Sequence, residues 1–465
     1  MDHSQKNKIL HPDQETIVAQ CTPKGSGALA LIRISGNHAI EIATKISKLT
    51  SGKKLSDVQT HTIHYGSIVD NNGKKIDQVL FLVMRAPKTF TGQDTIEITC
   101  HNNQFIIENI IHVTIAHGAR LAKSGEFSKR AFLNEKIDLL QAEAINELIH
   151  AQTQMALKSS LSQLEGSLSF WAQKIEKDLV KALALSEASF EFLDEENMEF
   201  AQQIKQIIEK NINTIQTLKK TFNQQKQIKE GVRIAIIGSV NTGKSSLFNT
   251  LLAQNRAIVT NIAGTTRDSI EAGVYANGNF MTFVDTAGLR QTDDTIEKEG
   301  IQRSLDEAKK ADIILVVYDG SKKINPEEKK VYQKIIDTYK QKIIMVRNKI
   351  DISSDTKQFE QHNQIDVSTI KKINIDKLEN TIKQKVTDLF SSIESPFLLN
   401  QRQYNLIVGL ENKLQQIGDM LKNDAQYELI SYHLQEALQQ FSELSGKTIS
   451  EQGLDTVFKE FCVGK

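Results

Sequence analysis

The chain has 465 residues, which at roughly 150 per domain suggests about three domains and room for more than one sizeable core. Its 57 lysines and arginines balance 57 aspartates and glutamates, so no net-basic field draws it to nucleic acid or an acidic membrane; that role needs a local basic face or a partner's contacts. With 39% apolar and 25% charged residues, the composition is that of an ordinary globular protein and not of a disordered chain.

The opening run MDHSQKNKIL lacks the apolar stretch of a secretory signal. Thr16–Gln20, Ala28–Ile34 and Gln78–Met84 read as strands, Ala39–Leu49 and Gln104–Leu121 as helices, and Asn71-Asn72-Gly73 as a tight turn. Residues 1–133 are therefore expected to form a separate α+β domain. Between Ala131 and Glu230 there is no proline and Gly166 is the only glycine, which favours long helices. Leu168, Trp171, Ile175, Leu179 and Ala182 recur at 3- and 4-residue steps, so residues 134–228 read as the first part of an all-α domain.

From residue 229 the pattern changes. The β-rich runs Val232–Ile237, Met281–Asp285, Ile313–Tyr318 and Ile343–Arg347 alternate with helical segments, as in a parallel sheet with crossover helices. After Pro396 the helical period returns in Ile407, Leu410, Leu414, Ile417 and Leu421, then in Leu434, Leu438 and Phe441. The expected fold class is multidomain α/β, with an α/β domain at 229–390 inserted into a helical domain that resumes at 391–465. Insertion is plausible because the ends of a compact domain often lie close together. The longest apolar runs, such as Ile313–Val317, fall far short of the ~20 residues that span a bilayer. Cys21, Cys100 and Cys462 are odd in number and widely spaced, which argues against a disulfide scaffold or a CxxC metal motif. The chain reads as cytoplasmic, with no membrane partner.

Gly238-Ser239-Val240-Asn241-Thr242-Gly243-Lys244-Ser245, followed by Ser246, matches GxxxxGK[ST] between a predicted strand and a helix over Ser245–Leu252. In such a loop backbone amides wrap the phosphates, Lys244 reaches the β and γ oxygens and Ser245 can ligate magnesium. Asp285-Thr286-Ala287-Gly288 ends the next apolar strand; Asp285 can hold magnesium through water and Gly288 can offer an amide to the γ-phosphate. Between them, Gly264-Thr265-Thr266-Arg267 places a threonine able to complete the magnesium shell once GTP orders its loop. Thr260, Asn261, Ile262 and Ala263 precede it in the same covering loop. Asn348-Lys349-Ile350-Asp351 follows a strand, and an aspartate there can accept both N–H donors of guanine. Ser368, after Ile365–Val367, is expected to complete the base pocket through its loop backbone. The domain reads as a GTPase, with ATPase the weaker rival. Leu289 stands where Ras-like proteins carry the glutamine that orients water, so hydrolysis needs another device. Asn241, three residues before Lys244, is placed to help bind a monovalent cation that offsets transition-state charge.

These motifs resemble the MnmE (TrmE) family of tRNA-modification GTPases over essentially the whole chain. Thr16-Ile-Val-Ala-Gln20, Leu31-Ile-Arg33-Ile-Ser-Gly36, Thr91-Gly92 through Glu97, and Ser124-Gly-Glu-Phe-Ser-Lys-Arg-Ala-Phe-Leu-Asn-Glu-Lys136 look like that family's N-terminal signatures. Phe461-Cys462-Val463-Gly464-Lys465 looks like its terminal motif. The resemblance implies that residues 1–133 bind a tetrahydrofolate derivative (5-formyl or 5,10-methylene) and form a homodimer. It further implies a complex with MnmG, a heterotetramer or larger, which brings FAD and NADH. Together they would add an aminomethyl or carboxymethylaminomethyl group to carbon 5 of the wobble uridine (position 34) of certain tRNAs.

By the same resemblance, Arg33, Glu97, Lys136 (at the start of a predicted helix) and Lys465 would bind folate. Asn241, Thr260, Ile262 and Thr265 would bind potassium, and Ser245 and Thr266 magnesium. Glu297 would orient the catalytic water, and Cys462 would serve the modification chemistry. The chain departs from the family pattern at Asn102-Asn103, where Gly-Gly is usual, at Ser239, Val240 and Thr242 in the phosphate loop, where Asn241 is retained, at Gln291 and at Ser368-Thr369. A GTP-driven ribosome-assembly or interaction switch without one-carbon chemistry is the alternative; the N-terminal signatures and the terminal motif favour the first reading.

Overall fold

Apolar residues alternating with polar ones at period two build the first of two sheets. The computed structural model describes residues 15–189, 194–220, 222, 225–254, 270–276, 278–285, 305–352, 359, 364–391, 397–423 and 426–464. They fall into two compact units: Met1–Asn146 with Ser162–Asn213 and Asn405–Lys465, and Glu147–Leu161 with Thr214–Tyr404.

In the first unit the strands are β1 (Ile17–Gln20), β2 (Leu29–Ser35), β3 (Ser47–Leu49), β4 (Thr62–Val69), β5 (Lys75–Met84), β6 (Thr95–His101) and β7 (Arg120–Leu121). Their spatial order is β3-β4-β5-β6-β2-β1-β7, antiparallel except where β7 joins β1. Ala30, Ile32 and Ile34 of β2 and Ile96 and Ile98 of β6 bury one face against Ile40 and Ala43 of helix Ala39–Lys45 and Ile107 and Ile110 of helix Gln104–Ala116. The intervening Arg33 and Glu97 face the other way.

Three local expectations need correction. The helix expected over Ala39–Leu49 stops at Lys45, because Ser47–Leu49 pairs with Gly66–Ile68 as an edge strand. The helix expected over Gln104–Leu121 ends at Ala116; Gly118 takes a left-handed φ of +107° after it, and Arg120–Leu121 adds to the sheet. Lys136 does not start a helix. Asp138 caps the helix Leu139–His150, accepting from the Gln141 N–H at 2.8 Å while Gln141 Oε1 accepts from the Asp138 N–H at 3.0 Å, so Lys136 stays in the turn before it.

Helix Ser167–Ala188 buries Leu168, Ile175, Leu179 and Ala182, four of the five residues whose spacing marks it, together with Ala172, while Trp171 is half-buried. It packs on helix Tyr427–Leu444 through Trp171 and Phe441, with ring centroids 6.5 Å apart, and a Ser431–Ser186 hydroxyl bond of 2.8 Å. Among the described residues no helix is long and apolar enough to cross a membrane.

The second unit holds β8 (Val232–Ile237), β9 (Ile270–Ala276), β10 (Asn279–Asp285), β11 (Ile313–Asp319), β12 (Ile343–Asn348) and β13 (Gln364–Asp366), in the order β13-β12-β11-β8-β10-β9. Five of these strands run parallel, but β9 pairs antiparallel with β10, so the all-parallel expectation is corrected at this edge. Strand β11 is buried on both faces and β8 at every position but Arg233, which is why they read as nearly continuous apolar runs. One face packs on Leu247 and Leu251 of helix Lys244–Gln254 and on Leu378 and Ile382 of helix Ile375–Ser391. The opposite face packs on Tyr332, Ile335 and Ile336 of helix Pro326–Tyr339.

Candidate nucleotide-binding site

The carboxyl ends of the parallel strands deliver the chemistry, as the geometry of an open α/β sheet requires. Strand β8 runs into the loop Gly238–Gly243 and then into helix Lys244–Gln254, whose N-terminus is a natural anion site. Gly243 has φ +91°, and a Cβ there would lie 2.2 Å from Asn348 Nδ2, so only glycine lets the loop come this close to β12. Asn241 also takes a left-handed φ, of +65°.

Lys244 is 5% exposed, and its ammonium donates to the Ser239 carbonyl at 2.7 Å inside the loop. Burial pulls its pKa down, while the nearby Asp285 and Glu328 carboxylates partly restore it. Ser245 and Ser246 are exposed at the helix start, and Asp285 is buried at the end of β10. Hydroxyl and carboxylate oxygens of this kind suit a hard divalent cation.

The expected base-reading segment sits at the end of β12. Fully buried Asn348 donates from Nδ2 to the Thr242 carbonyl at 2.9 Å, and its Oδ1 accepts from the Thr369 N–H at 3.3 Å. Lys349, at φ +65°, donates to the Asn241 carbonyl at 2.6 Å and pairs with Asp319 at 2.7 Å. Asn348 and Lys349 thus spend their side chains tying loops together. Asp351 keeps a partly exposed carboxylate, held below the ordinary range chiefly by a hydrogen bond from Ser368. Thr260, Asn261, Ile262, Ala263, Gly264, Thr265, Thr266, Thr286, Ala287, Gly288 and Glu297 lie outside the described residues, as does Lys465.

Two residues here escaped the sequence reading. Asp319 ends β11 as Asp285 ends β10, a visible signal, and it accepts from Lys349 and from the Ser321 N–H and hydroxyl. Tyr332 has no sequence signal apart from its apolar spacing on helix Pro326–Tyr339.

A second cluster lies in the first unit. Arg33 on β2 and Glu97 on β6 are cross-strand partners, with Nε and Nη2 both 2.8 Å from Glu97 Oε1. The guanidinium also lies 5.9 Å from the Phe90 ring centroid and 5.4 Å from that of Phe127. Thr91 is fastened to the end of β2 by a 2.8 Å hydroxyl bond to Ser35, and Asn134 donates to the Thr91 carbonyl at 2.6 Å. A Cβ on Gly92 would lie 3.0 Å from Lys136 Cε, so the Lys136 side chain passes directly over this turn. Buried Arg130 braces the same turn, donating to Gln93 Oε1 at 2.9 Å, to the Glu15 carbonyl at 2.8 Å and to Glu126 at 2.8 Å.

The C-terminal segment docks beside this cluster. Val463 bridges Ser124, the Gly125 N–H donates to the Cys462 carbonyl at 3.3 Å, and Gly464 lies against Gln20, which follows Ala19, the cross-strand partner of Arg33. Cys462 itself is exposed with a free thiol. The departure at Asn102-Asn103 is accommodated without left-handed backbone. Asn103 has φ −118° and caps helix Gln104–Ala116 by accepting from the Phe105 and Ile106 N–H groups, while Asn102 donates to the Gly25 carbonyl at 2.8 Å.

Residues 16–136 match the family model described as the GTP-binding protein TrmE N-terminus, and residues 139–462 match the MnmE helical domain. A protein of Lachnoclostridium phytofermentans named tRNA modification GTPase MnmE is 36% identical over 460 residues, covering 97% of this chain and 99% of its own length. Proteins with the same name from Lactiplantibacillus plantarum and Bacillus subtilis are each 36% identical across 97% of this chain, covering 98% and 100% of their own lengths. Both family models and full-length relatives converge on one answer: the chain belongs to the MnmE family of tRNA modification GTPases.

Proposed function

We propose that this chain is a potassium-stimulated, cytoplasmic GTPase that works as a homodimer with MnmG on the wobble uridine of certain tRNAs. The observation that supports it most is the double tie of Asn348 and Lys349 to the phosphate loop, at 2.9 and 2.6 Å, which sets a guanine-reading loop beside a triphosphate-binding one. Asp351 accepts the two N–H donors of guanine, Gly243 and Lys244 hold the phosphates, and Ser245, Thr266 and Asp285 supply oxygens toward magnesium. Asn241, Thr260, Ile262 and Thr265 provide the oxygens toward potassium. Glu297 orients the attacking water in place of the glutamine that Leu289 replaces. The bound cations would supply positive charge at the oxygens where negative charge grows.

In the first unit, Arg33, Glu97, Lys136 and Lys465 hold the folate derivative. A half-buried guanidinium–carboxylate pair beside the exposed ring of Phe90, with buried Phe127 backing the guanidinium, offers charge, fixed donors and aromatic surface, features that suit a flat heteroaromatic ligand. Folate bound there would supply the one-carbon unit, and Cys462 on the docked tail serves the modification step. The uridine product then carries an aminomethyl or carboxymethylaminomethyl group, with FAD and NADH chemistry contributed by MnmG.

Hydrolysis rates at matched ionic strength in potassium and in sodium test the GTPase half of this account. Faster turnover in potassium, with GTP preferred over ATP, supports it. Equal rates in the two salts remove the cation role of Asn241.

A further inference from the structure

Helix Pro326–Tyr339 reaches the phosphate loop through Tyr332, whose hydroxyl is bonded in turn by Glu328 one turn earlier. The Tyr332 hydroxyl is 2.7 Å from the Ser239 nitrogen, 3.0 Å from Ser239 Oγ, 3.0 Å from Glu328 Oε1 and 3.4 Å from the Val317 carbonyl. A phenol has one proton to give. The charge-assisted bond takes it: Tyr332 donates to the Glu328 carboxylate and accepts from the Ser239 N–H and hydroxyl. Tyr332 is 2% exposed, with its ring edge-on to Phe359 at 6.3 Å, so the phenol is fixed in place. Burial pushes its pKa well above the ordinary phenol value, which keeps the hydroxyl neutral and able to donate.

Ser239 is more than a passive acceptor of this grip. Its carbonyl receives the Lys244 ammonium at 2.7 Å and the Thr242 hydroxyl at 3.0 Å. One residue thus meets the helix through its N–H and the phosphate-binding lysine through its carbonyl. The side chains that follow, Val240 and Asn241, are exposed, so the first half of the loop is anchored at Ser239.

We infer that Tyr332, held by Glu328, is a positioning residue for the phosphate loop, fixing Ser239 so that the loop amides and Lys244 converge on the phosphates of a bound guanine nucleotide. The inference rests on the guanine-nucleotide reading above. It adds a control point on a helix that touches neither base nor phosphate, and any shift of that helix would be felt at Lys244.

The test is stopped-flow release of a fluorescent GDP analogue from the full-length protein. Tyr332→Phe keeps the ring and its packing but leaves the Ser239 N–H without its acceptor. Release should quicken about five- to twentyfold, in keeping with the loss of one buried hydrogen bond, while GTP-over-ATP selectivity and Tm stay near wild type. Glu328→Ala frees the phenol to rotate and should reproduce the effect. Glu328→Gln keeps an acceptor and should restore release to within about twofold of wild type, a rescue that a purely structural role does not predict. Wild-type release rates in both Tyr332→Phe and Glu328→Ala would overturn the inference while leaving the nucleotide reading intact. A wild-type protein that fails to bind the analogue would overturn both. If Tyr332→Phe proves unstable, the Glu328→Ala and Glu328→Gln pair decides.

Discussion

The Lys349 ammonium lies 2.6 Å from the carbonyl oxygen of Asn241, although 108 positions separate the two residues in sequence. The same ammonium pairs with Asp319 at 2.7 Å, so a single side chain at the end of β12 joins the phosphate loop after β8 to the end of β11. Replacing Lys349 with Met removes both bonds and leaves the nearly buried Asp319 carboxylate with only Ser321 to satisfy it. Guanine-nucleotide release should accelerate by roughly ten- to a hundredfold, as expected for losing a hydrogen bond to a charged group. Nucleotide-exchange kinetics check this, and an unchanged rate would mean that Asn348 alone holds the two loops together.

In the proposed base pocket, Asp351→Asn replaces one of the two acceptors for the guanine N–H groups with a donor. Affinity for GTP should fall by roughly a hundredfold or more, and affinity for xanthosine triphosphate, which offers a carbonyl at that edge, should rise. Competition binding with GTP, ATP and xanthosine triphosphate reads this directly; retained guanine preference would show that another group reads the base.

Much of this second unit was legible in the sequence because its local and tertiary signals agree. Strand β8 is apolar apart from Arg233 and β11 is apolar up to its closing Asp319, and the glycine-rich loop follows β8 directly. The first unit was less legible for a physical reason. Ser47–Leu49 and Arg120–Leu121 are strands only because a neighbouring strand offers hydrogen bonds, and no propensity within three or two residues announces that pairing. The motif segments containing Arg33, Glu97 and Lys136 were named through resemblance. Their meeting place, Arg33 directly across from Glu97 and Lys136 over Gly92, is a matter of register and turn geometry. Tyr332 was invisible because its burial predicts a core residue, and only the position of its hydroxyl reveals a second role.

Gly464 fastens the tail that carries Cys462. With φ +94° and a would-be Cβ 2.4 Å from the Gln20 carbonyl oxygen and 2.8 Å from Cys21 Cα, it has no room for a side chain. Gly464→Ala should lift the tail, speeding amide exchange at Gly125, whose N–H donates to Cys462. GTP turnover should stay within about twofold of wild type, since Gly464 belongs to the first unit and the phosphate loop to the second, and residues that share no partner act independently. Hydrogen-exchange mass spectrometry reads the first expectation and phosphate release the second; a protected Gly125 amide in the variant would show that the tail is held elsewhere.

Glu126 sets an acid limit on the fold that carries the Arg33–Glu97 pair. Burial alone would raise its pKa, but hydrogen bonds from Arg120, the Lys123 N–H and Arg130 prevail and lower it from 4.5 to about 2. A carboxylate depressed in the folded state stabilises above its unfolded pKa and loses that contribution as pH falls through the folded value. Stability should therefore decline between about pH 4.5 and about pH 2. Glu126→Gln should lower stability at pH 7 and flatten the decline across that window, as measured by denaturant unfolding at several pH values. An undiminished slope in the variant would assign the acid transition to other carboxylates.

Removing the Arg33–Glu97 pair should separate the two activities. Arg33→Met keeps the aliphatic stem against Phe90 and Phe127 while losing the charge. Binding of 5-formyltetrahydrofolate should drop at least tenfold, in keeping with loss of a charged hydrogen bond, with GTP hydrolysis unchanged. Isothermal titration against the folate reads the result, and intact affinity would move the ligand away from this face.

The most direct test of the whole account is mass spectrometry of tRNA nucleosides from cells lacking this gene, complemented with wild type, Arg33→Met or Lys244→Ala. The account predicts that 5-substituted wobble uridines disappear in the deletion, return with the wild-type protein and stay absent with either variant. Unchanged wobble uridines in the deletion strain would contradict it.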